Sequence, residues 1–245
     1  MLNLSKHLEV ELNTEGVDYF VGDVHGHYDE LMNEMKRVGF KESTDRLFFL
    51  GDLCNRGDDS IKCLDLLTEK HKTLTAYSLE GNHENLISEL PYNSKIEEQL
   101  KRSSTGGQWA VDCYHFEPSV FRRLTGIIKA KCFNAITVKT SLGSIGLVHA
   151  QAPDDWAVFS HSKIPNDVLF NGLWSHEKYS KPASELNPIK NIDLTISGHT
   201  NSSEIVVKQN MIWIDTLRNG GRITIISAAE AFELMKTERA NERTR

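Results

Sequence analysis

The stretch "VDYFVGDVHGHYDELMNEMKRVG", residues 17–39, decides the fold. Its first residues, "VDYFVG", form a short apolar run rich in β-branched and aromatic side chains and read as a buried strand. After it, Leu31, Met32, Met35 and Val38 recur at helical spacing, so a helix covers "YDELMNEMKRVG". Between them lie Asp23, His25 and His27 beside two glycines. In α/β folds, functional side chains gather where strands end.

Outward from this stretch the pattern repeats. "DRLFFLG" is a second strand and "DSIKCLDLLTEKH" a second helix; "TLTAYSLEG" is a third strand and "ENLISEL" begins a third helix. The βαβαβ order implies a largely parallel sheet covered by helices. From about residue 95 to 131 the chain reads as a helical cap, interrupted at "STGGQWAVD" by a glycine pair and an exposed-looking Trp109. The last third changes character. "NAITVKTSLGSIGLVHA" gives two strands, and "IDLTISGHT", "SEIVVKQ", "NMIWIDTL" and "GRITIIS" four more. A second, mostly antiparallel sheet fits them. The tail, residues 238–245, is charged and reads as frayed. The expected architecture is one α/β (mixed α+β) domain over residues 1–245, with two packed mixed β-sheets flanked by helices.

The chain has 245 residues, 39% hydrophobic and 25% charged, with a formal net charge of −6 and no basic run. That composition suits a soluble globular protein and argues against a nucleic-acid polymer as partner. No apolar run approaches the roughly 18 residues of a membrane span. The polar N-terminal segment lacks a signal-peptide core, so the expected compartment is the cytoplasm, with a monomer as the default state. Cys54, Cys63, Cys113 and Cys132 form no C-x-x-C pair and read as reduced, partly buried thiols.

Five polar clusters follow apolar runs: "GDVHG" with Asp23 and His25; "GDLCNRG" with Asp52, Asn55 and Arg56; "GNHE" with Asn82, His83 and Glu84; "VHA" with His149; and "SGHT" with His199. Imidazole and oxygen donors in this mixture suit divalent transition metals. A structural zinc site would more often use thiolates. Two aspartates can bridge or neutralise a pair of ions. His7, His71, His115 and His161 lack this setting and read as surface or structural residues. Glu84 reads as a helix-start residue favoured by the dipole.

The order GDxHG, GDxxxRG, GNHE, His, GHT resembles the calcineurin-like metallophosphoesterases. More narrowly it is similar to the phosphoprotein phosphatase family, especially small bacterial and bacteriophage serine/threonine phosphatases. The likeness runs from Tyr19 to Ile226 and includes "SIKCLDLL", "TGGQW" and "IWIDT". It implies two divalent metal ions, Mn first, with Fe, Zn or Ni as alternatives. Asp23, His25 and Asp52 would hold one, and Asp52, Asn82, His149 and His199 the other. Arg56 would grip phosphate and His83 would serve as general acid. His27 matches no ligand position.

Three departures stand out. Asn55 replaces an aspartate that usually pairs with the acid histidine. His176, in "LWSHEKY", stands where phage-type enzymes place a second phosphate-binding arginine, and it could donate a hydrogen bond to substrate. Leu217 replaces a frequent glycine, with Arg218 beside it as a candidate replacement charge and Asp215 as a structural residue. The resemblance implies hydrolysis of phosphomonoesters, with phosphorylated protein as substrate. Asn55 also occurs in proteins resembling symmetrical diadenosine tetraphosphate hydrolases, the alternative reading. A binding module on the same fold without activity is the third, and the complete ligand set argues against it.

Overall fold

The computed structural model describes residues 6–218 and 221–244, the last four by backbone alone. In chain order, β1 (His7–Val10), β2 (Asp18–Val21), α1 (Tyr28–Arg37), β3 (Arg46–Phe49), α2 (Ser60–Asp65), β4 (Thr75–Leu79) and α3 (Asn82–Glu89) make up the first third. Next come α4 (Ser94–Lys101), α5 (Gln108–Phe116), α6 (Pro118–Lys131), β5 (Cys132–Phe133), β6 (Ala135–Thr140), β7 (Gly143–Leu147), α7 (Asn166–Trp174) and α8 (Glu177–Ser180). β8 (Leu194–Ser197), β9 (Val206–Lys208), β10 (Met211–Trp213), β11 (Ile225–Ser227) and α9 (Ala228–Thr244) complete the order.

The strands form two mixed sheets, ordered β1-β6-β7-β8-β10-β9 and β11-β2-β3-β4-β5. Both faces of the five-stranded sheet are covered, which is why its strands read as unbroken apolar runs rather than alternating ones. Tyr19, Val21, Leu47 and Phe49 face α1–α6, while Phe20, Phe48, Leu50 and Leu79 face the second sheet across Ile136, Val138, Leu147, Ile196 and Ile212. The outer face of the six-stranded sheet is covered by the segment around Trp156, Phe159, Ile164 and Leu169. α9 lies on β9, β10, β11 and β2, and inserts Ala231, Phe232 and Met235 into the core between the sheets.

Several expectations are revised. The second sheet is not mostly antiparallel: β7, β8 and β10 run parallel to one another, as do β1 and β6. β11 leaves that sheet and pairs antiparallel with β2. The first residues of the chain supply an edge strand, β1, whose short run left no period to read. α2 ends at Asp65, sooner than its apolar pattern suggests. The backbone of residues 238–244 continues α9 instead of fraying; Glu, Arg and Ala there are good helix formers. Among the described residues no helix is long and apolar enough to cross a membrane.

Parallel pairing places the site. β2, β3 and β4 run parallel in one sheet, and β7 and β8 do so in the other. Asp23, Asp52 and Asn82 follow the ends of the first three; His149 and His199 follow the ends of the other two.

Candidate active site

Seven non-glycine residues among those described have a left-handed backbone, and five of them belong to the predicted cluster: His25 (φ 47°), Asp52 (50°), Asn55 (71°), Arg56 (71°) and His199 (62°). Each such conformation costs about 1–2 kcal/mol. Strain of this kind persists where surrounding structure holds it, commonly at functional sites. Here it turns each side chain inward off its strand.

All six predicted ligand residues converge. The ligand atoms of His25, Asp52 and His83 lie within 4.8 Å of one another, as do those of Asp52, His149 and His199. Asp52 is common to both groups. Its Oδ2 lies 3.7 Å from His25 Nε2 and 3.9 Å from His83 Nε2, while Oδ1 lies 3.5 Å from His149 Nε2. Asp23 Oδ2 is 3.8 Å from His25 Nε2. Asn82 Oδ1 sits 2.9 Å from both His149 Nε2 and His199 Nδ1. The remaining nitrogens orient the rings: His25 Nδ1 donates to the Cys54 carbonyl and His149 Nδ1 to the Leu50 carbonyl. Each ring therefore turns its unprotonated Nε2 into the cluster, the orientation of a metal-binding imidazole.

The donor set fits divalent cations by a second measure. Asp23 Oδ2 and His199 Nε2 are buried without a hydrogen bond, and such orphans are costly unless something else meets them. Burial, then Asp215 and Asp52, push the Asp23 carboxyl well above its usual range. Burial pushes Asp52 up to about 6. Burial also pushes His149 and His199 down to about 3. The metal-free cluster thus disfavours both its carboxylates and its imidazoliums, and bound positive charge would relieve the former.

The sign of the pH dependence follows. Below about pH 6 Asp52 holds a proton that a metal must displace, so metal affinity falls as pH falls, by up to about tenfold per unit per proton. The histidines at about 3 do not compete until much lower pH. Stabilisation by an added divalent cation is expected to shrink between pH 7 and pH 5, which thermal melts at fixed metal concentration will check. Without metal the same shift costs stability as pH climbs from 3.8 to about 6, because the native carboxyl keeps a proton that the unfolded one has released.

Two glycines make the carboxylates fit. A Cβ at Gly81 would stand 2.2 Å from Asp52 Oδ1, and one at Gly198 would stand 2.2 Å from Asp23 Oδ1. These contacts account for the glycines in "GNHE" and "SGHT". Gly81→Ala is expected to lose about 2–3 kcal/mol of stability, within the range for overpacking, and to weaken metal binding; denaturant melts and Mn2+ titration measure both.

Glu84 does more than begin a helix. Its carboxylate accepts from the backbone N–H of Gly81, Asp52 and Cys54 and from the Cys54 thiol, tying the Asp52 loop to α3. All four cysteines are free and buried. His27 sits at the N-terminal cap of α1, outside the cluster.

Arg56 reaches into the ligand cluster. Nη1 closes on His25 Nε2, Nη2 is 3.2 Å from His83 Nε2, and Nε donates to the Ser104 carbonyl at 3.3 Å. Arg218 Nη2 donates to that same carbonyl at 3.3 Å, so two guanidinium groups stand side by side on the α4–α5 loop. His176 lies across the site, stacked on His199 at 4.4 Å between ring centroids, with Nδ1 bonded to Thr200 Oγ1 at 2.7 Å. Asn55 and His83 pair at 2.9 Å between Nδ2 and Nδ1. Burial, then Arg56 and Arg218, push His83 down to about 3. Trp109 is not exposed: it is half-buried and donates from Nε1 to Asn55 Oδ1 at 2.9 Å. The glycine pair before it was the available signal, because the first glycine packs on the Arg56 backbone.

A sequence model of calcineurin-like phosphoesterases matches residues 19–203. Serine/threonine-protein phosphatase 2 of Escherichia coli is 27% identical over 84% of this chain and 90% of its own length. A symmetrical bis(5'-nucleosyl)-tetraphosphatase of Actinobacillus succinogenes is 44% identical, but over 27% of this chain and 23% of its own length. A solved protein serine/threonine phosphatase from Saccharomyces cerevisiae superposes with a TM-score of 0.61 at 13% identity, over 91% of this chain and 84% of that one.

Proposed function

Because the chain belongs to the calcineurin-like phosphoesterase family, we propose that it hydrolyses phosphate monoesters on phosphorylated protein, with serine and threonine phosphates as its substrates. The observation carrying this reading is Asp52, shared by two groups of ligand atoms with the Arg56 guanidinium beside them. The likeness to the E. coli serine/threonine phosphatase over most of both chains supports the substrate class.

In this reading Asp23, His25 and Asp52 hold one divalent cation and Asp52, Asn82, His149 and His199 the other, Mn2+ being the first candidate. Such a pair, when bound, polarises the phosphate and supplies a nucleophilic oxygen at neutral pH. The chain's own residues do the rest. Arg56 takes two phosphate oxygens in its planar fork. The Ser104 carbonyl holds that fork in place and sets Arg218 beside it, so the mounting negative charge meets two cations. His83 turns Nε2 toward the same space as Arg56, where the leaving oxygen would lie. His176 contributes a hydrogen-bonding edge beside His199, positioned by Thr200 and that ring.

Asn55 and the 66-residue stretch shared with the tetraphosphatase favour a second reading, symmetrical cleavage of diadenosine tetraphosphate. A panel with added Mn2+ separates them: phosphoserine peptide, para-nitrophenyl phosphate and diadenosine tetraphosphate at equal concentration. Turnover of the first two supports the phosphatase reading. A preference for the dinucleotide by orders of magnitude would replace it with the second.

A further inference from the structure

Trp109 touches the site through one hydrogen bond, and that bond can run in one direction only. Its indole N–H is a donor without an accepting lone pair. Asn55 must therefore turn its amide oxygen to Trp109, 2.9 Å away, and its NH2 to His83 Nδ1, also 2.9 Å away. Asn55 is fully buried and His83 is 4% exposed, so neither has solvent as an alternative partner. An amide NH2 donates, so His83 Nδ1 must accept with its lone pair. The neutral ring then carries its proton on Nε2.

Arg56 Nη2, 3.2 Å from His83 Nε2, is also a donor and competes for the ring's one lone pair. That competition ends when Arg56 turns to a phosphate oxygen. The shorter Asn55 contact, held from behind by Trp109, remains.

We propose that Trp109, acting through Asn55, makes His83 a hydrogen-bond donor that holds the leaving oxygen without surrendering its proton. The enzyme consequently ranks phosphomonoesters by leaving-group acidity: aryl phosphates ahead of alkyl phosphates. The inference rests on the phosphoesterase reading above and refines its substrate class. Water loses one proton to solvent, and the resulting hydroxide attacks phosphorus. The bond to the leaving oxygen breaks with its electron pair, and the leaving group departs as an anion that accepts a hydrogen bond from Nε2–H. The second water proton leaves with the phosphate. Transfer from Nε2 would create an imidazolate, because Nδ1 holds no proton. A carboxylate at position 55 would offer one oxygen to Trp109 and the other to an Nδ1–H. His83 could then carry both protons and release one. Trp109 is thus a positioning residue, and phosphoserine is turned over more slowly than an Asn55→Asp variant would manage.

The test compares wild type, Asn55→Asp, Trp109→Phe and the double variant on aryl phosphates of graded acidity and on a phosphoserine peptide. Wild-type turnover should fall steeply as the leaving group becomes less acidic. Asn55→Asp should raise the alkyl-to-aryl rate ratio about tenfold or more, part of the roughly 10²–10⁴-fold that a positioned acid supplies. Trp109→Phe frees the amide to turn, so it should shift the ratio the same way, and less so when added to Asn55→Asp. A tryptophan that only supports the fold would slow every substrate alike. Independently, 15N spectra of the Zn2+-loaded protein with inorganic phosphate should show His83 Nδ1 bare and Nε2 protonated in wild type, with Nδ1 protonated in Asn55→Asp. Equal rate ratios in all four proteins, or a protonated Nδ1 in wild type, would overturn the inference. Should no phosphoester be hydrolysed by any of them, the phosphoesterase reading fails instead, and the spectra still decide the tautomer.

Discussion

Asp52→Asn is expected to lower kcat/KM by at least about 10³-fold, beyond the 10²–10³ that loss of one electrostatic contact costs. Asp52 is the residue shared by the two ligand groups, with one oxygen toward His25 and the other toward His149. An amide keeps the shape but replaces one acceptor with a donor and removes the charge that two cations would share. The NH2 would bond to an imidazole lone pair and withdraw that ligand too. Metal at 100 times its Kd should stabilise wild type by about 2.7 kcal/mol, and the variant should gain little. Without metal the variant should melt no lower than wild type, because burial already drives the Asp52 carboxyl up to about 6 and the amide avoids that cost. Retention of a tenth of the activity, or an undiminished Mn2+ effect on melting, would remove Asp52 from the shared position.

Arg56→Ala is expected to cost about 10²–10³-fold in kcat, the loss of a charge aimed at the transition state. Its guanidinium is held by Ser104 and faces His25 and His83, with Arg218 as a neighbour. Arg56→Lys should recover little, since an ammonium cannot make the paired contacts of a planar fork. Arg218→Ala should act mainly through KM, as its group lies at the exposed edge. Steady-state kinetics on para-nitrophenyl phosphate separate these cases. A rise in KM alone for Arg56→Ala would place that residue in ground-state binding.

The convergence of Asp23, His25, Asp52, Asn82, His149 and His199 was legible because each follows an apolar run, and the parallel βαβ order left one edge where such ends could meet. The sheet that carries His149 and His199 was misread. Its strands are short and joined by turns, which suggests hairpins, yet β7 and β8 are parallel and connected by the long segment that bears α7 and α8. Antiparallel pairing would have put the two histidines at opposite ends. Short strands fix no direction by themselves; the intervening segment does, and its helices are short, with Pro153, Pro165, Pro182 and Pro188 all falling outside them. Trp109 was misread for another reason. An indole just after a glycine pair looks like loop surface, yet Trp109 lies in the first turn of α5, and the glycines mark the close approach of that loop to Arg56. The left-handed residues were also beyond sequence: His25, Asp52, Asn55 and His199 are of the types enriched there after glycine, but the type alone does not say which copies adopt it, and Arg56 carries no such signal.

The pairing of β11 with β2 has a consequence for how the protein is made. β2 leads into Asp23 early in the chain, and its partner comes about two hundred residues later, a separation that slows folding. At a synthesis rate of roughly 5–20 residues per second, β2 waits roughly 10–40 s for that partner. Throughout that time the nascent chain carries an unpaired edge beside the first ligands of its site, open to the wrong strand. The ribosome finishes every residue of the Asp–His cluster before it delivers the strand that seals it.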